Sequence, residues 1–275
     1  MRFFLTRLVT FFFLMAPTVA QAGTRDPNTP DAKYLEFGQK FPYVVKFCAH
    51  HDGVDDKGQK FTEHWCASAV VIRKHWVLTA AHVVSGVERA TVTTDDGKKF
   101  PLAKIITHRD YEAKRVGWHD IALARTDAPI ELEFYPGLYK QSDELSKAVT
   151  FAGFGLAGTF HSGGTVSDNK RRAGHNRIEG ASDAVLFCSP SRGQDKFPLE
   201  FMITPGDSGG GMFIGNELAG INSFLLASDG KPNGTYSDET AFTRVSLYAD
   251  WVESQIEKYE LALLGRSTEG ADLSP

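Results

Sequence analysis

Residues 204–213 read TPGDSGGGMF, and this stretch decides how the rest of the chain is interpreted. Four of the ten residues are glycine, Ser208 stands among them, and Asp207 directly precedes it. Glycine loses more conformational entropy on folding than any other residue, so glycines cluster where the backbone geometry demands them. Two interpretations are open. Ser208 is either a nucleophile held beside backbone amides or a polar residue in a tight turn.

The chain contains the other groups that a serine nucleophile needs, which are a base, a group that orients the base, and donors for an oxyanion. His82 stands in LTAAHVV at the end of an apolar run, and Asp120 stands in HDIALAR directly before one. Taken singly, such a histidine is more often a packed residue, and such an aspartate is more often a turn or cap residue. Gly206 and Gly209 leave room for two N–H groups beside Ser208. The combination favours the nucleophile.

Short strand-like segments follow one another along most of the chain, separated by turn-rich stretches. The first six are YVVKF, CASAVVI, WVLTA, ATVTT, LAKIITH and DIALART, and the second six are AVTFAGFG, NRIEG, AVLFC, GGMFI, LAGINSF and AFTRVSL. Two sets of six strands without βαβ spacing predict an all-β fold of two barrels or sandwiches. Only the end has helical periodicity, at Val252, Ile256, Tyr259 and Leu263, and Gly265 is a candidate terminator.

The amino-terminal residues have the three parts of a secretory signal peptide. Arg2 and Arg7 give a positive start, residues 8–16 are almost wholly apolar, and AQA at 20–22 is a small-x-small cleavage site. Cleavage is therefore predicted after Ala22, and the protein is expected to be secreted or periplasmic. The apolar run is too short to span a bilayer in the mature protein. The competing interpretation is a buried apolar helix.

These patterns divide the chain into six parts. They are a signal peptide (1–22), an N-terminal arm (23–40), a first β-barrel (41–140), a second β-barrel (141–245), a C-terminal helix (246–265) and a polar tail (266–275). The arm, GTRDPNTPDAK at its start, is polar and contains prolines, which predicts a mobile segment.

The composition excludes several classes of function. The 275 residues carry a net charge of −4, and no Lys/Arg run is longer than residues 170–172, so nucleic acid is not an expected partner. No spacing of metal ligands is visible, because His50 and His51 lie in an acidic stretch typical of a solvated loop. No metal or other cofactor is expected. Asn233 begins a glycosylation sequon, which matters only in a eukaryotic secretory route.

The segments LTAAH, DIAL and GDSGG resemble the three signature segments of the chymotrypsin/trypsin family, in the order of that family. FAGFG and FTRVSLYADWV extend the likeness, which runs from about Phe41 to Ile256. The resemblance implies two six-stranded antiparallel β-barrels followed by a C-terminal α-helix. It makes His82 the general base, Asp120 its orienter and Ser208 the nucleophile.

The resemblance also implies a function. The amides of Gly206 and Ser208 form the oxyanion hole, and the protein is a secreted serine endopeptidase that works through an acyl-enzyme. Its partners are then protein or peptide substrates, and a proteinaceous inhibitor is a further candidate partner. Two alternatives use the same fold: a catalytically silent binding protein, and an esterase.

Activation is the first departure from the family pattern. Family proteases usually begin with an Ile-Val-Gly-Gly-like terminus whose ammonium pairs with the aspartate before the nucleophile, here Asp207. No such sequence precedes FPYVVKF. A buried carboxylate without a partner is costly. His64 matches a family histidine that holds this aspartate in some inactive precursors, so one hypothesis pairs His64 with Asp207. The alternatives are that the arm folds back to supply the charge, or that His64 is an ordinary exposed strand residue.

The cysteines also depart from the family. Val83 occupies the position of the family cysteine next to the catalytic histidine, so Cys66 lacks its usual partner. Cys48 and Cys66 end and begin successive strand-like runs and are expected to pair across a hairpin, with Cys188 buried and reduced. Three pairings remain open.

By resemblance, the substrate pocket has Met202 at its base, six residues before the nucleophile, and Ser223, Leu225 and Thr240 along its walls. A bulky apolar lining predicts cleavage after small or medium apolar residues. Two alternatives stay open: a pocket blocked by Met202 and Leu225, and basic specificity. The basic alternative needs an acidic side chain that reaches inward, for which the candidates are Asp229, Asp238 and Glu239.

Overall fold

The computed structural model describes residues 23–269, with side chains described as far as residue 264. The predicted signal peptide lies outside the described residues, as do residues 270–275 of the predicted tail. Between residues 23 and 269, no helix is both long enough and apolar enough to cross a membrane.

The described residues are mostly β-structure with three α-helices. The strands are β1 Thr24–Arg25, β2 Val44–Val54, β3 Lys60–Arg73, β4 Trp76–Thr79, β5 Arg89–Thr93, β6 Lys99–Thr107, β7 Ala122–Thr126, β8 Gly137–Leu138, β9 Ala148–Gly153, β10 Ala157–Thr159, β11 Gly163–Val166, β12 Arg172–Arg177, β13 Gly180–Ala181, β14 Val185–Cys188, β15 Phe201–Met202, β16 Gly211–Ile214, β17 Glu217–Ala227 and β18 Asp238–Arg244. The helices are α1 Asp31–Gly38, α2 Ala81–Val84 and α3 Ala249–Glu269. Two 3₁₀ turns cover Gly193–Asp195 and Val245–Leu247.

The first half of the chain forms a closed barrel. Its six strands are antiparallel and follow the order β2-β3-β4-β7-β6-β5 around the barrel. Strands β3 and β4 contain runs of β-branched and aliphatic residues, which pack well on a pleated, buried surface. The first apolar cluster, formed largely by this barrel, includes the fully buried side chains of Phe47, Val70, Trp76, Leu78 and Leu123.

The second half forms a curled half-barrel of eight strands. Its main path is β12-β9-β16-β17-β18-β14-β13, and β8 pairs with β17. A second apolar cluster, which includes Phe151, Leu186, Met212 and Phe242, fills its concave side. The predicted all-β, chymotrypsin-like fold is confirmed, with one full barrel and one curled half-barrel.

The predicted disulfide is also confirmed. Cys48 on β2 and Cys66 on β3 lie directly opposite each other in the antiparallel register and are joined by a disulfide. Cys188 is a free, fully buried thiol on β14. Its burial raises the pKa of this thiol well above the ordinary value.

The N-terminal arm is built into the fold, contrary to the mobile segment expected from its composition. Strand β1 lies between β10 and β15 in a four-stranded sheet of order β11-β10-β1-β15. Helix α1 follows, with Tyr34 fully buried and its hydroxyl donating to the carbonyl of Glu200 at 3.0 Å. The polar residues have specific partners, since Asp31 accepts from the buried guanidinium of Arg172 at 2.6 Å. The polar, proline-containing composition of the arm therefore did not indicate mobility.

Helix α3 packs against the closed barrel. Val252 and Ile256, one turn apart, are buried in the first apolar cluster, and Glu260 accepts a 3.1 Å hydrogen bond from the indole of Trp76. The helix begins at Ala249 and ends at Glu269, so it starts later and continues further than the predicted range 246–265, passing through Gly265.

Candidate active site

His82 and Asp120 form the best-defined pair of the site. His82 lies in α2, the short helix that follows β4, and Asp120 lies just before β7, which is hydrogen-bonded to β4. Nδ1 of His82 is 2.8 Å from Oδ2 of Asp120, and the backbone N–H of His82 donates to Oδ1 at 2.9 Å. An ionised carboxylate can only accept a hydrogen bond, so Nδ1 of His82 is the donor and carries the ring proton. The other ring nitrogen, Nε2, is then the one without a proton.

Asp120 is held in its ionised form although it is buried. Its side chain is 4% exposed, whereas that of His82 is 39% exposed. Burial by itself raises the pKa of Asp120, but the hydrogen bonds and charge interaction from His82, with a further bond from Ser223, outweigh it and leave the pKa below its ordinary value. The pair therefore has one buried anion and one accessible base.

Two residues of the half-barrel hold Asp120 from the other side. The hydroxyl of Ser223, on β17, donates to Oδ2 of Asp120 at 2.5 Å. The hydroxyl of Thr243, on β18, donates to the carbonyl of Asp120 at 2.8 Å. Both halves of the fold thus fix this aspartate.

The turn that carries Ser208 is fastened to the closed barrel through Ser68 on β3. The backbone N–H of Ser68 donates to the carbonyl of Ser208 at 2.9 Å, and its hydroxyl donates to the carbonyl of Gly206 at 3.2 Å. Ser68 is fully buried, whereas Ser208 is partly exposed. The serine is therefore presented at the surface on a turn whose backbone is fixed.

Gly209 explains how closely the turn approaches the histidine. Its φ is +81°, and a Cβ there would lie 2.0 Å from the hydroxyl oxygen of Thr79 and 2.3 Å from the carbonyl oxygen of Ser68. Thr79 ends β4, three residues before His82. Only glycine fits such a contact. The turn of Ser208 therefore lies against the segment that leads into His82.

The two amides expected to form an oxyanion hole are unoccupied. In the part of the chain that the structure describes, neither the N–H of Gly206 nor that of Ser208 donates to a protein acceptor. The amides of the neighbouring Gly209 and Gly210 are both engaged, with the carbonyls of Asn222 and Asp207. The turn therefore leaves two donors on either side of Asp207 available to a ligand.

Asp207 is fully buried and faces away from this surface. Its carboxylate accepts from the backbone N–H of Gly155 at 2.7 Å, of Thr204 at 2.8 Å and of Gly23 at 3.0 Å, and from the hydroxyl of Thr204 at 3.2 Å. All four donors are neutral groups. Burial raises the pKa of Asp207 to about 6, because the four hydrogen bonds offset only part of the lost hydration.

His64 is not brought to Asp207. It lies exposed on β3, where it pairs with His50 of β2, and the two ring centroids are 4.3 Å apart. In the described structure the place beside Asp207 is taken by Gly23 at the start of the arm. The arm therefore folds back to Asp207, but at this point it supplies a neutral amide and not the charge that the stated alternative invokes.

Three of the four predicted pocket residues lie close to one another, whereas the fourth faces the His82–Asp120 pair. Met202 and Thr240 are fully buried, and the Thr240 hydroxyl lies 3.8 Å from the Met202 sulfur. Leu225 on β17 pairs with Thr240 on β18 and is partly buried. Ser223 is also buried, but its hydroxyl is turned towards Asp120.

Several positioning residues were not found from the sequence. Ser68 and Asn222 hold the turn of Ser208 through backbone carbonyls, and Asn222 donates to the carbonyl of Asp207 at 3.0 Å. No local pattern distinguishes these two residues from other polar strand residues. Thr204 and Gly155 could have been found as candidate partners of the turn. Both lie in segments that the sequence analysis had singled out, TPGDSGGGMF and FAGFG.

Taken together, the paired His82 and Asp120, the presented Ser208 and the two free amides form a candidate site that contains the groups a serine hydrolase requires. The family model described as Trypsin matches residues 38–252. The chain therefore belongs to the trypsin family.

Individual relatives agree with this assignment. Over 216 residues the chain is 27% identical to "Serine protease SSP1" of Scolopendra subspinipes, covering 70% of this chain and 73% of the relative. Over 220 residues it is 28% identical to "Trypsin Tyr p 3.0101" of Tyrophagus putrescentiae, covering 70% and 72%. Among solved structures, neuropsin, described as a serine protease expressed in the limbic system of mouse brain, superposes with a TM-score of 0.60 at 17% identity. The match covers 80% of this chain and 96% of the neuropsin chain, and a likeness at this level of identity shows the fold alone.

Proposed function

We propose that the protein is a secreted serine endopeptidase that hydrolyses peptide bonds through an acyl-enzyme on Ser208. The observation that carries the proposal is the His82–Asp120 pair beside a serine turn with two free amides. Membership of the trypsin family supports it.

In this mechanism each group has one task. Nε2 of His82 takes the proton of the Ser208 hydroxyl as its oxygen attacks the scissile carbonyl, and Asp120 stabilises the imidazolium that forms. The N–H groups of Gly206 and Ser208 donate to the developing oxyanion. His82 then gives the proton to the leaving amine, which leaves an ester on Ser208. Water, deprotonated by His82, hydrolyses that ester and restores the free hydroxyl.

We further propose cleavage after small or medium apolar residues. Met202 at the proposed pocket base is fully buried, and the amide of Asn176 donates to its sulfur at 3.6 Å. Asp238, a candidate for basic specificity, uses Oδ2 to accept from the amides of Asn233, Gly234 and Thr235. Oδ2 of that carboxylate is therefore committed to its own loop, while Oδ1 is buried without a hydrogen-bond partner among the described residues.

Kinetics on a peptide panel test both proposals. The mature protein, beginning at Gly23, is assayed on substrates that differ only in Ala/Val, Leu/Phe or Arg/Lys at the cleavage position, with Ser208→Ala as the control. An activated ester should give a burst of one product per site, as expected for an acyl-enzyme. We expect kcat/KM on the preferred apolar peptide to exceed that on the basic peptides by at least about tenfold. Cleavage after Arg or Lys alone would overturn the specificity. Folded protein that hydrolyses neither peptide nor ester would overturn the enzyme assignment and favour a binding protein.

A further inference from the structure

His119, the residue directly before Asp120, has a backbone conformation that few side chains adopt. Its φ is +49°, in the left-handed region, where a residue with a Cβ is strained. Its carbonyl accepts a 2.8 Å hydrogen bond from the N–H of Ile121, so Asp120 is the central residue of a three-residue turn. The Asp120 carboxylate leaves this turn towards His82, whose backbone N–H and Nδ1 both meet it. The strain therefore lies next to the carboxylate that orients the base.

The imidazole ring of His119 is held between the end of β6 and the start of α3. It stacks on the ring of His108, the residue after β6, with the ring centroids 4.8 Å apart and the planes 5° from parallel. Its Nδ1 lies 3.1 Å from the hydroxyl oxygen of Tyr248, the buried residue before α3. The ring of Tyr248 also packs edge-on against both imidazoles, with centroids 5.7 Å and 5.3 Å away. We call His108, His119 and Tyr248 the aromatic clamp.

The aromatic clamp is tied to the turn that contains Asp120. The backbone N–H of His108 donates to the carbonyl of Ile121 at 3.1 Å, which continues the pairing of β6 with β7 up to this turn. Tyr248 reaches His119 from a position 129 residues further along the chain. A strained backbone conformation persists only when the surrounding structure over-determines it. The clamp provides this constraint, from β6 on one side and from the start of α3 on the other.

Packing alone does not explain why residue 119 is a histidine. Glycine would adopt the left-handed conformation without strain. It would leave the hydroxyl of the buried Tyr248 unpaired, because among the described residues that hydroxyl has no other hydrogen-bond partner. A buried polar group without a partner is costly. Both the backbone and the ring of His119 therefore have a task beside Asp120.

We infer that His119 is a positioning residue of the proposed catalytic site and that it acts through Asp120. Its left-handed backbone directs the Asp120 carboxylate towards His82, and the aromatic clamp keeps that backbone in place. The inference adds to the proposed mechanism a residue that takes no part in bond making or proton transfer. It rests on the proposed function for its kinetic readout.

Three substitutions of His119 separate the part of the backbone from the part of the ring. His119→Val puts a β-branched residue in the left-handed conformation. We expect its kcat on the preferred peptide to fall by at least about 30-fold with KM changed by less than about twofold, because a small misplacement of a reacting group is costly. His119→Gly relieves the backbone strain alone and should recover part of kcat. His119→Asn, which tolerates this conformation and keeps a polar side chain, should recover most of it.

Ser146→Val is the matched control for backbone strain. Ser146 has φ +67° and is exposed in the segment before β9. The substitution introduces the same kind of strain as His119→Val, so it should lower the melting temperature while kcat stays unchanged. Tyr248→Phe tests the clamp, since it removes only the hydroxyl. It should lower kcat severalfold in the wild-type protein and have no further effect in His119→Gly, where the hydrogen bond is already absent.

A spectroscopic readout needs no activity. In Ser208→Ala protein, the proton that Nδ1 of His82 shares with Asp120 should give a downfield NMR resonance, as expected for a strong hydrogen bond to a charged acceptor. We expect this resonance to persist in Ser146→Val and to move upfield or broaden in His119→Val, with recovery in His119→Asn. Should His119→Val fail to fold, the comparison of His119→Gly with His119→Asn replaces it.

The outcomes separate the inference from the proposed function. Wild-type kcat in the His119 variants, an equal fall of kcat in all of them, or a fall of kcat with the His82 resonance unchanged would overturn the inference and leave the proposed function intact. Wild-type protein that hydrolyses no substrate would overturn the proposed function. In that case, a His82 resonance that changes in His119→Val and returns in His119→Asn would still support the role of His119.

Discussion

The hydroxyl of Ser223 donates a 2.5 Å hydrogen bond to Oδ2 of Asp120, from β17 of the half-barrel to the carboxylate that orients His82 in the closed barrel. The neighbouring Asn222 donates to the carbonyl of Asp207 in the nucleophile turn. Two consecutive residues of one strand therefore hold both parts of the proposed catalytic machinery, and the alignment of the two halves is set at this point.

Replacing Ser223 by alanine tests this connection. The change removes one hydrogen bond to a charged, buried group, which costs about 1.5–3 kcal/mol. We expect kcat to fall by roughly tenfold or more while KM changes little, since the substitution acts on the orientation of His82. Steady-state kinetics on the preferred peptide measure the split. Ser228→Ala is the matched control, because the Ser228 hydroxyl donates to the carbonyl of Ser237 on the exposed part of the same segment. An unchanged kcat in S223A would show that Asp120 does not need this partner.

The pH dependence of stability is expected to report on Asp207. While the Gly23 nitrogen is an amide, burial raises the pKa of Asp207 from 3.8 to about 6. Between these values the native state holds a proton that the unfolded state has lost, so stability falls as the pH rises from about 4 to 6, by up to about 3 kcal/mol. Urea unfolding of an extended Ser208→Ala protein, which retains Ala22 as its first residue, measures this slope at several pH values.

The same experiment on the form with a free Gly23 provides the comparison. An ammonium beside Asp207 lowers the pKa of the carboxyl, so the loss of stability over this pH range should become smaller or reverse. In the extended form, Asp207→Asn should remove the contribution altogether. Identical pH profiles for all three proteins would contradict this account of the buried carboxylate.

Leu225 is predicted to limit the size of the side chain accepted at the cleavage position. It pairs with the buried Thr240, which lies next to the sulfur of Met202. Leu225→Gly should raise kcat/KM for a Phe peptide relative to an Ala peptide by about tenfold, the effect of a few methylenes in an apolar pocket. Leu226→Gly is the matched control, since its side chain is 48% exposed on the neighbouring position of the strand. If Leu225→Gly and Leu226→Gly show the same ratio of kcat/KM for the Phe and Ala peptides, residues other than Leu225 determine the specificity.

The cysteines allow a prediction about stability. Cys48 and Cys66 close a loop with a sequence separation of 18, and such a crosslink contributes roughly 3 kcal/mol in the chain-entropy model. Replacing both by alanine should lower the free energy of unfolding by about that amount, as measured by urea titration, without changing the site. Native protein should not react at Cys188 with iodoacetamide, because this thiol is fully buried. Rapid alkylation of the native protein there would contradict the described packing.

The sequence predicted the fold and offered candidate catalytic groups because both are marked by local residue patterns. Alternating strands with turns predicted the all-β class, and the segments around His82, Asp120 and Ser208 carry distinctive residue types at fixed places. The pairing of Cys48 with Cys66 followed from their places at the ends of adjacent strands. Each of these inferences depends only on residues that are close together in the sequence or that face each other across one hairpin.

The contacts that were missed are long-range. Gly23 is separated from Asp207 by 184 residues, and Ser68 from Gly206 by 138. The arm has a polar composition that is typical of a mobile segment, yet buried Thr24 and Tyr34 anchor it. Composition cannot show whether a polar residue will meet a partner from a distant part of the chain. The same reason explains why His64 was a plausible candidate partner for Asp207.

Covalent labelling tests the central claim most directly. Mature protein beginning at Gly23 is treated with a fluorophosphonate, and the adduct is located by peptide mapping and intact mass. The account predicts one adduct per chain, on Ser208, with no labelling of Ser208→Ala and much slower labelling of His82→Ala. Correctly folded protein that takes up no reagent, or that is labelled at another residue with Ser208 unmodified, would contradict it.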